Sequence, residues 1–281
     1  MKHKRILLAA VLLSVCTLAS RPAMGQTDVA LDPEFGARLS GTVDKKIARG
    51  LHLTFEGEAR MDNNFQSFDR VQGTVGIRYK MFRGAKVGVG YALIAPYSTA
   101  SITFKSIRHR LMVDASYSYD IGVWRLSLKE RFQATYRSGD MNEYQNPRTA
   151  LMLKSRLKLQ YRGLRAVVPY ASVELRNTIN APAIAARYNA TTDEYLPAEG
   201  VSSSEAGWFL DGFNSVYLNR VRGALGVEWT LTRRSSVDLS LMADYVMDRV
   251  VDANSSGTIL KSYTYEHGLV GWLAMGYTYK F

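Results

Sequence analysis

The stretch His267–Phe281, HGLVGWLAMGYTYKF, alternates without a break. Stepping by two from Phe281 gives Tyr279, Tyr277, Met275, Leu273, Gly271 and Leu269, and between them lie Lys280, Thr278, Gly276, Ala274, Trp272 and Val270. Neighbouring side chains of a β-strand point to opposite faces, so this period of two describes a strand whose faces meet different surroundings. It exceeds the usual strand of about 5–6 residues and reaches the roughly 9–11 that a tilted strand needs to cross a bilayer.

The same division recurs upstream. LHLTFEGEARM sets Leu51, Leu53 and Phe55 against His52, Glu56, Glu58 and Arg60, and LMLKSRLKLQY sets Leu151, Leu153, Leu157 and Leu159 against Lys154, Arg156 and Lys158. VDLSLMADY sets Val237, Leu239 and Leu241 against Asp238, Ser240 and Asp244. Each apolar face is backed by a charged one. Strands are expected near 35–43, 51–61, 69–80, 86–96, 103–119, 123–137, 149–161, 166–178, 214–232, 236–251 and 258–281. Tight connections (DKKIARG, MFRGA, DIG, YRGLR, TRRSS) alternate with long polar ones around 62–68, 97–105, 138–148, 179–213 and 252–258, the segregation expected of an outer-membrane barrel.

In hydrocarbon every backbone N–H and C=O needs an internal partner, so a spanning sheet must close on itself. The expected fold is all-β, a closed antiparallel transmembrane β-barrel. The segments above number eleven, but such barrels normally have even counts with both ends on the periplasmic side. Twelve strands are therefore expected, with ten as the alternative. The missing strand would lie in TDVALDPE or within 179–213, or one of the eleven segments is wrongly divided.

The opening MKHKRILLAAVLLSVCTLASRPAMGQ has a basic start, an apolar run and a small-x-small triplet ending at Gly25. This is a signal-peptide layout, expected to be cleaved after residue 25. A lipoprotein cut at Cys16 is disfavoured because Val15 stands where a small residue is needed. Cleavage takes four bases and no acid from the net charge of +11, leaving +7, and removes the single cysteine. Disulfide and thiolate chemistry are thereby excluded for residues 26–281. The expected location is the outer membrane of a diderm bacterium, reached through the periplasm.

By parity the lumen-facing charge cluster comprises Arg70, Arg78, Arg108, Arg110, Arg125, Lys129, Arg131, Lys154, Arg156, Lys158, Arg220 and Arg222, with the acids Glu56, Glu58, Asp114, Glu174, Glu228, Asp238 and Asp244. Bases outnumber acids. The cluster either fills a narrow barrel with ion pairs or forms a basic constriction that selects anions. Aromatics near strand ends, among them Tyr79, Tyr91, Tyr136, Tyr161, Trp124 and Trp229, fit two interfacial girdles. Glu130 breaks the scheme: in VWRLSLKERFQATY it shares parity with Leu128 and Phe132. A β-bulge or register change turning it inward is expected, the alternative being that it lies beyond the membrane.

Chemistry-bearing motifs are sparse. There is no His-x-x-x-His, no cysteine set, no calcium loop and no P-loop, so neither metal nor cofactor is expected. The basic residues alternate with aliphatics, which argues against nucleic acid. A lipid hydrolase would need a rim Ser/His pair, such as His109 with Ser106 or His267 with Ser262; no spacing requires it, and a non-enzyme is expected. The 179–213 connection is long enough for a lid, plug or binding surface, with Trp208, Phe209 and Phe213 able to fold it onto the rim.

Three stretches, FQSFDRVQGTVGIRYKMFRGAKVGVGYAL, RHRLMVDASYSYDIGVWRLSLKERFQATYR and VVPYASVELRNT, resemble the uncharacterised outer-membrane barrels of the domain-of-unknown-function 2490 family, from about residue 35 onward. The resemblance implies a signal-bearing barrel and assigns no functional residue. The ending also resembles the C-terminal signal read by the barrel-assembly machinery, carried here by Leu273, Met275, Tyr277, Tyr279 and Phe281. The expected partners are that machinery and outer-membrane lipid. The leading functional expectation is a narrow anion-preferring channel or a structural barrel, the alternatives being the lipid hydrolase and a surface adhesin or docking barrel.

Overall fold

The computed structural model describes residues 27–189, 191–192, 194–197 and 208–281. The proposed signal peptide, its cleavage site and part of the 179–213 connection lie outside these residues. Every regular element described is a strand: β1 (Thr27–Ala30), β2 (Glu34–Ala48), β3 (Leu51–Asp62), β4 (Ser67–Phe82), β5 (Ala85–Ser98), β6 (Thr103–Phe104), β7 (Arg108–Ile121), β8 (Trp124–Arg137), β9 (Thr149–Tyr161), β10 (Val167–Ala181), β11 (Ile184–Asn189), β12 (Glu194–Pro197), β13 (Phe209–Leu210), β14 (Ser215–Thr230), β15 (Ser235–Ala253) and β16 (Leu260–Lys280).

Eleven of these form a closed barrel in the order β2-β3-β4-β5-β7-β8-β9-β10-β14-β15-β16. Neighbours along that path pair antiparallel, but the ring closes between β16 and β2 in parallel, from Val270↔Glu34 to Lys280↔Asp44. Short β1 prolongs this seam, pairing parallel with Thr264–His267. Pro33 stands between β1 and β2, where its missing N–H interrupts the ladder.

The parallel seam corrects the expected count of twelve, and the alternative of ten, to eleven among the described residues. The even-number rule assumes that first and last strands meet antiparallel; here both run from the long-connection end to the short-turn end. TDVALDPE does contain a strand, β1, but as part of the seam. The 179–213 segment contains β11, β12 and β13, which make a separate sheet outside the barrel.

At the short-turn end glycine is required in the β4–β5 turn. Gly84 has φ +89, and a Cβ on it would collide with Ser118 O. Its carbonyl accepts the Ser118 N–H at 2.8 Å, tying this turn to the neighbouring hairpin.

Every barrel strand turns an apolar row outward. Phe55, Val75, Val89, Leu111, Leu157, Leu225, Leu241 and Leu273 are all exposed, whereas soluble monomers rarely expose more than a few hundred Å² of contiguous apolar surface. Lipid is the medium that suits such a ring. Trp124 and Tyr161 stack at the short-turn end, ring centroids 5.0 Å apart, and at the other end Tyr91, His109 and Tyr136 form a second cluster. Along β8 the separation from Trp124 to Tyr136 corresponds to roughly 30 Å for a strand tilted by about 40°. That is close to the apolar band of a barrel, about 25 Å.

Glu130 corrects its expectation. Strand β8 pairs with β7 and β9 without a register shift, so no bulge turns the residue inward, and it sits mid-strand rather than beyond the girdles. It faces outward beside Ala115 and Ser155, and Ser155 Oγ donates to its carboxylate at 2.6 Å.

Beyond the girdle, strands β15 and β16 extend into a hairpin on which the 179–213 connection packs. Trp208 is buried with Val251, Ala253, Leu260 and Tyr263, joined by Ile184, Ala186, Tyr195, Leu210 and Tyr144. The β8–β9 connection reaches the same hairpin. Asn142 Nδ2 donates to the carbonyls of Ala253 and Asn254 at 2.7 and 3.2 Å, and Gln145 Nε2 donates to Asp252 Oδ1 at 2.9 Å. Since β8–β9 and β15–β16 are separated by β10 and β14 in the ring, this connection crosses part of the mouth.

Candidate functional site

The inward rows converge on two cavities that share the middle of the lumen. One, of about 590 Å³, extends toward the short-turn end past Arg78, Asp44, Glu228 and Lys280. The other, of about 430 Å³, extends toward the long connections past Arg70, Arg108, Arg137 and Lys154. Arg38, Glu56, Glu58, Met112, Lys129, Arg131, Arg156, Glu174 and Arg222 line both.

Charge is unevenly divided between them. The cavity at the short-turn end is lined by 8 bases and 7 acids, the other by 13 bases and 3 acids. Long-range attraction for anions is therefore concentrated at the long-connection half, where low-dielectric walls focus the field.

Ion pairs neutralise part of this charge. Glu58 accepts from Arg38 at 2.5 Å and Arg60 at 2.6 Å. Asp114 receives both Nε and Nη2 of Arg131, at 2.6 and 2.8 Å, with Lys129 at 3.0 Å. Asp244, at 0% exposure, holds Arg222 in a two-point contact at 2.5 and 2.6 Å, Arg220 at 2.9 Å and the Trp272 indole N–H at 3.2 Å. Such forked guanidinium–carboxylate contacts are the strong, geometrically specific ones. Near the short-turn end Lys158 meets Glu228 at 2.5 Å and lies 3.5 Å from the centre of the Tyr170 ring, whose hydroxyl donates to Asp238 at 2.9 Å. Arg125 pairs with Asp120 at 2.6 Å, and Asp44 joins Arg78 and His52, each at 2.9 Å.

Other bases have no such counterpart. Among the described residues, Arg108, Arg110, Arg137, Lys154, Arg156 and Arg176 have no carboxylate within 4.0 Å. Cross-strand register sharpens the point: Arg131 pairs with Lys154, Lys154 with Arg176 and Arg176 with Arg220. Four adjacent strands thus present four bases in one row. Like charges placed directly opposite each other are destabilising, so folding alone does not favour this row.

A bulge orients its third member. Pairing of β10 with β14 shifts between Arg176 and Asn177, leaving Asn219 as the extra residue. Asn219 accepts from Arg176 Nε and donates to Asp248. Arg110 is likewise held by neutral groups, donating to Thr135 Oγ1 at 2.9 Å and Gln72 Oε1 at 3.5 Å.

The histidines take other positions. Nδ1 of His109 lies 2.6 Å from the Tyr91 hydroxyl and Nδ1 of His267 lies 2.9 Å from the Tyr245 hydroxyl, both on the outward girdle. Ser106 Oγ instead approaches Gly139.

A family model described as a protein of unknown function, DUF2490, matches residues 35–254. The chain belongs to this family. A search of curated proteins finds no match. Among solved structures the NanC porin is similar in fold at 13% identity and a TM-score of 0.39, with 78% of this chain and 85% of that one covered. OmpT of Vibrio cholerae is 11% identical at a TM-score of 0.36, with 78% of this chain and 57% of that one covered. An anion-selective porin from Comamonas acidovorans is 11% identical at a TM-score of 0.34, with 83% and 54% covered.

In this DUF2490 barrel the inward residues named from sequence parity occupy the lumen side of their strands, and most line one or both cavities. Leu273, Met275, Tyr277 and Phe281 lie exposed on the outward face. Parity reasoning passed over Arg38, Asp44, Arg137 and Arg176. The alternation of FGARLSG and YASVELRNT carries the signal for Arg38 and Arg176. Asn219 has no such signal, because the bulge breaks the period on which parity depends.

Proposed function

We propose that this protein is a narrow, anion-preferring channel in the outer membrane of a diderm bacterium, its long connections facing outward. The supporting observation is the division of lumen charge: 13 bases and 3 acids line the half near the long connections, and the second half, which shares its middle section, is nearly balanced. An anion entering from outside meets a positive potential first and then bases already paired with acids. Binding there is strong enough for entry and weaker beyond, which conduction requires. The C-terminal row ending at Phe281 is proposed to be read by the barrel-assembly machinery.

Purified protein in planar bilayers, under a tenfold KCl gradient, is expected to give discrete conductance steps and a reversal potential of anion-selective sign. Electrical silence would leave a structural barrel as the better reading, and a cation-selective potential would sink the assignment.

A further inference from the structure

The row Arg131–Lys154–Arg176–Arg220 asks for a ligand. Adjacent strands are about 4.8 Å apart, so the row spreads its bases over roughly 14 Å of wall. Asp114 balances Arg131 at one end and Asp244 balances Arg220 at the other. The two middle members are not balanced in this way. Lys154 has no carboxylate within 4.0 Å among the described residues, its main counter-charge being the more distant Glu174 on β10, and Arg176 is aimed by the Asn219 amide, with Asp248 one hydrogen bond beyond. Arg108 and Arg137, directly paired across β7 and β8, add two more uncompensated guanidiniums to the same cavity.

A base held by an amide or hydroxyl keeps its full charge for a ligand, whereas a base held by a carboxylate has that charge offset even though a guanidinium in a two-point contact retains three of its five N–H donors. Holding several bases by neutral groups side by side costs stability through like-charge repulsion, and a bound anion relieves it. One monovalent ion cannot reach across the row, whereas a solute with several acidic groups can contact more than one strand.

We infer that the wall of β8, β9, β10 and β14 is a binding site for a multiply charged oxyanion, with Lys154 and Arg176 at its centre and the Asn219 bulge as the device that positions Arg176. This rests on the channel reading for its physiological purpose, but the binding is measurable without any current.

The test is isothermal titration of the detergent-folded full chain with tripolyphosphate and with citrate, using orthophosphate and acetate as low-valence references. At least one polyvalent anion is expected to bind at least about tenfold tighter than its reference, and which one does so distinguishes a phosphate-bearing solute from a carboxylate-bearing one. Lys154→Gln combined with Arg176→Gln should weaken that binding at least about tenfold. Arg125→Gln, at a base already paired with Asp120, should leave it unchanged. Heat-modifiable gel migration reports folding of each variant.

A second measurement needs no substitution. Tripolyphosphate or citrate should slow amine acylation at Lys154, followed by peptide mass spectrometry, while exposed Lys105 in the β6–β7 connection is labelled as before. Equal affinity for all four anions, or labelling of Lys154 unaffected by either polyvalent anion, overturns the site. An anion-selective channel with no polyvalent preference overturns this inference alone. A silent barrel that still protects Lys154 overturns the channel and leaves the site standing.

Discussion

Glu130 shows how a polar residue is accommodated on the lipid side of a wall. Its strand runs straight, so the carboxylate remains outward, and the Ser155 hydroxyl on the paired strand donates to one of its oxygens at 2.6 Å. Its other oxygen is buried with no hydrogen-bond partner. An ionised side chain at mid-membrane is destabilising by an amount that depends on depth. Glu130→Leu is therefore expected to stabilise the barrel by roughly 1–2 kcal/mol, since acids cost less than bases there. Ser155→Ala should destabilise it by about 1 kcal/mol through the lost hydrogen bond. Urea unfolding from phospholipid vesicles, followed by tryptophan fluorescence, checks both; a lower midpoint for Glu130→Leu would show that the carboxylate has a partner worth keeping. The outward position of Glu130 was legible from parity. The expectation of a bulge failed because the cost can also be met by a neighbour, and the clue was Ser155, a polar residue on the outward row of Leu151, Leu153, Leu157 and Leu159.

Among the elements, the β2–β16 seam departs most from expectation. Periodicity locates strands and their faces from local sequence, and the eleven expected segments match the barrel strands to within a few residues at most ends, apart from a later start for β7 and a later end for β2. Which strand closes the ring, and in which direction, depends on residues more than 200 positions apart, and no local period records it. The parallel seam can be tested directly. Ser40 and Gly276 are register partners on the lumen side, and Ser40 Oγ lies 3.1 Å from where a Gly276 Cβ would stand. In a chain otherwise without cysteine after Cys16, Ser40→Cys with Gly276→Cys should form an intrachain disulfide under mild oxidation, seen as a reducible mobility shift. Failure to cross-link in the folded barrel would count against this register.

For the whole molecule, the proposed channel places the mouth and the lumen in series. The β8–β9 connection is fastened by Asn142 and Gln145 to the β15–β16 hairpin, and Tyr144 packs against Gly257 at its tip. A channel reading makes this a partial cover. Asn142→Ala with Gln145→Ala should raise single-channel conductance or current noise with ion selectivity unchanged, because the selecting charges lie below. Identical conductance and noise would remove the cover from the permeation path. That a long connection follows β8 was legible in the sequence, whereas its destination was not: its polar residues find backbone carbonyls on a hairpin that only the closed ring brings near. The charge asymmetry was half legible, since parity identified a basic lumen, but dividing it into two halves requires knowing which strand neighbours which.

The seam also bears on how such chains can change. Antiparallel barrels grow and shrink by hairpins, and here β3 through β16 already supply ten strands with alternating direction, leaving β2 as a single addition. Because β2 runs parallel to β16 and antiparallel to β3, β3 and β16 have the directions needed to meet as an ordinary antiparallel pair. The barrel is thus one strand from a self-sufficient ten-stranded relative. In this architecture adding or removing one strand switches the closing ladder between parallel and antiparallel, whereas adding or removing a hairpin leaves its sense unchanged.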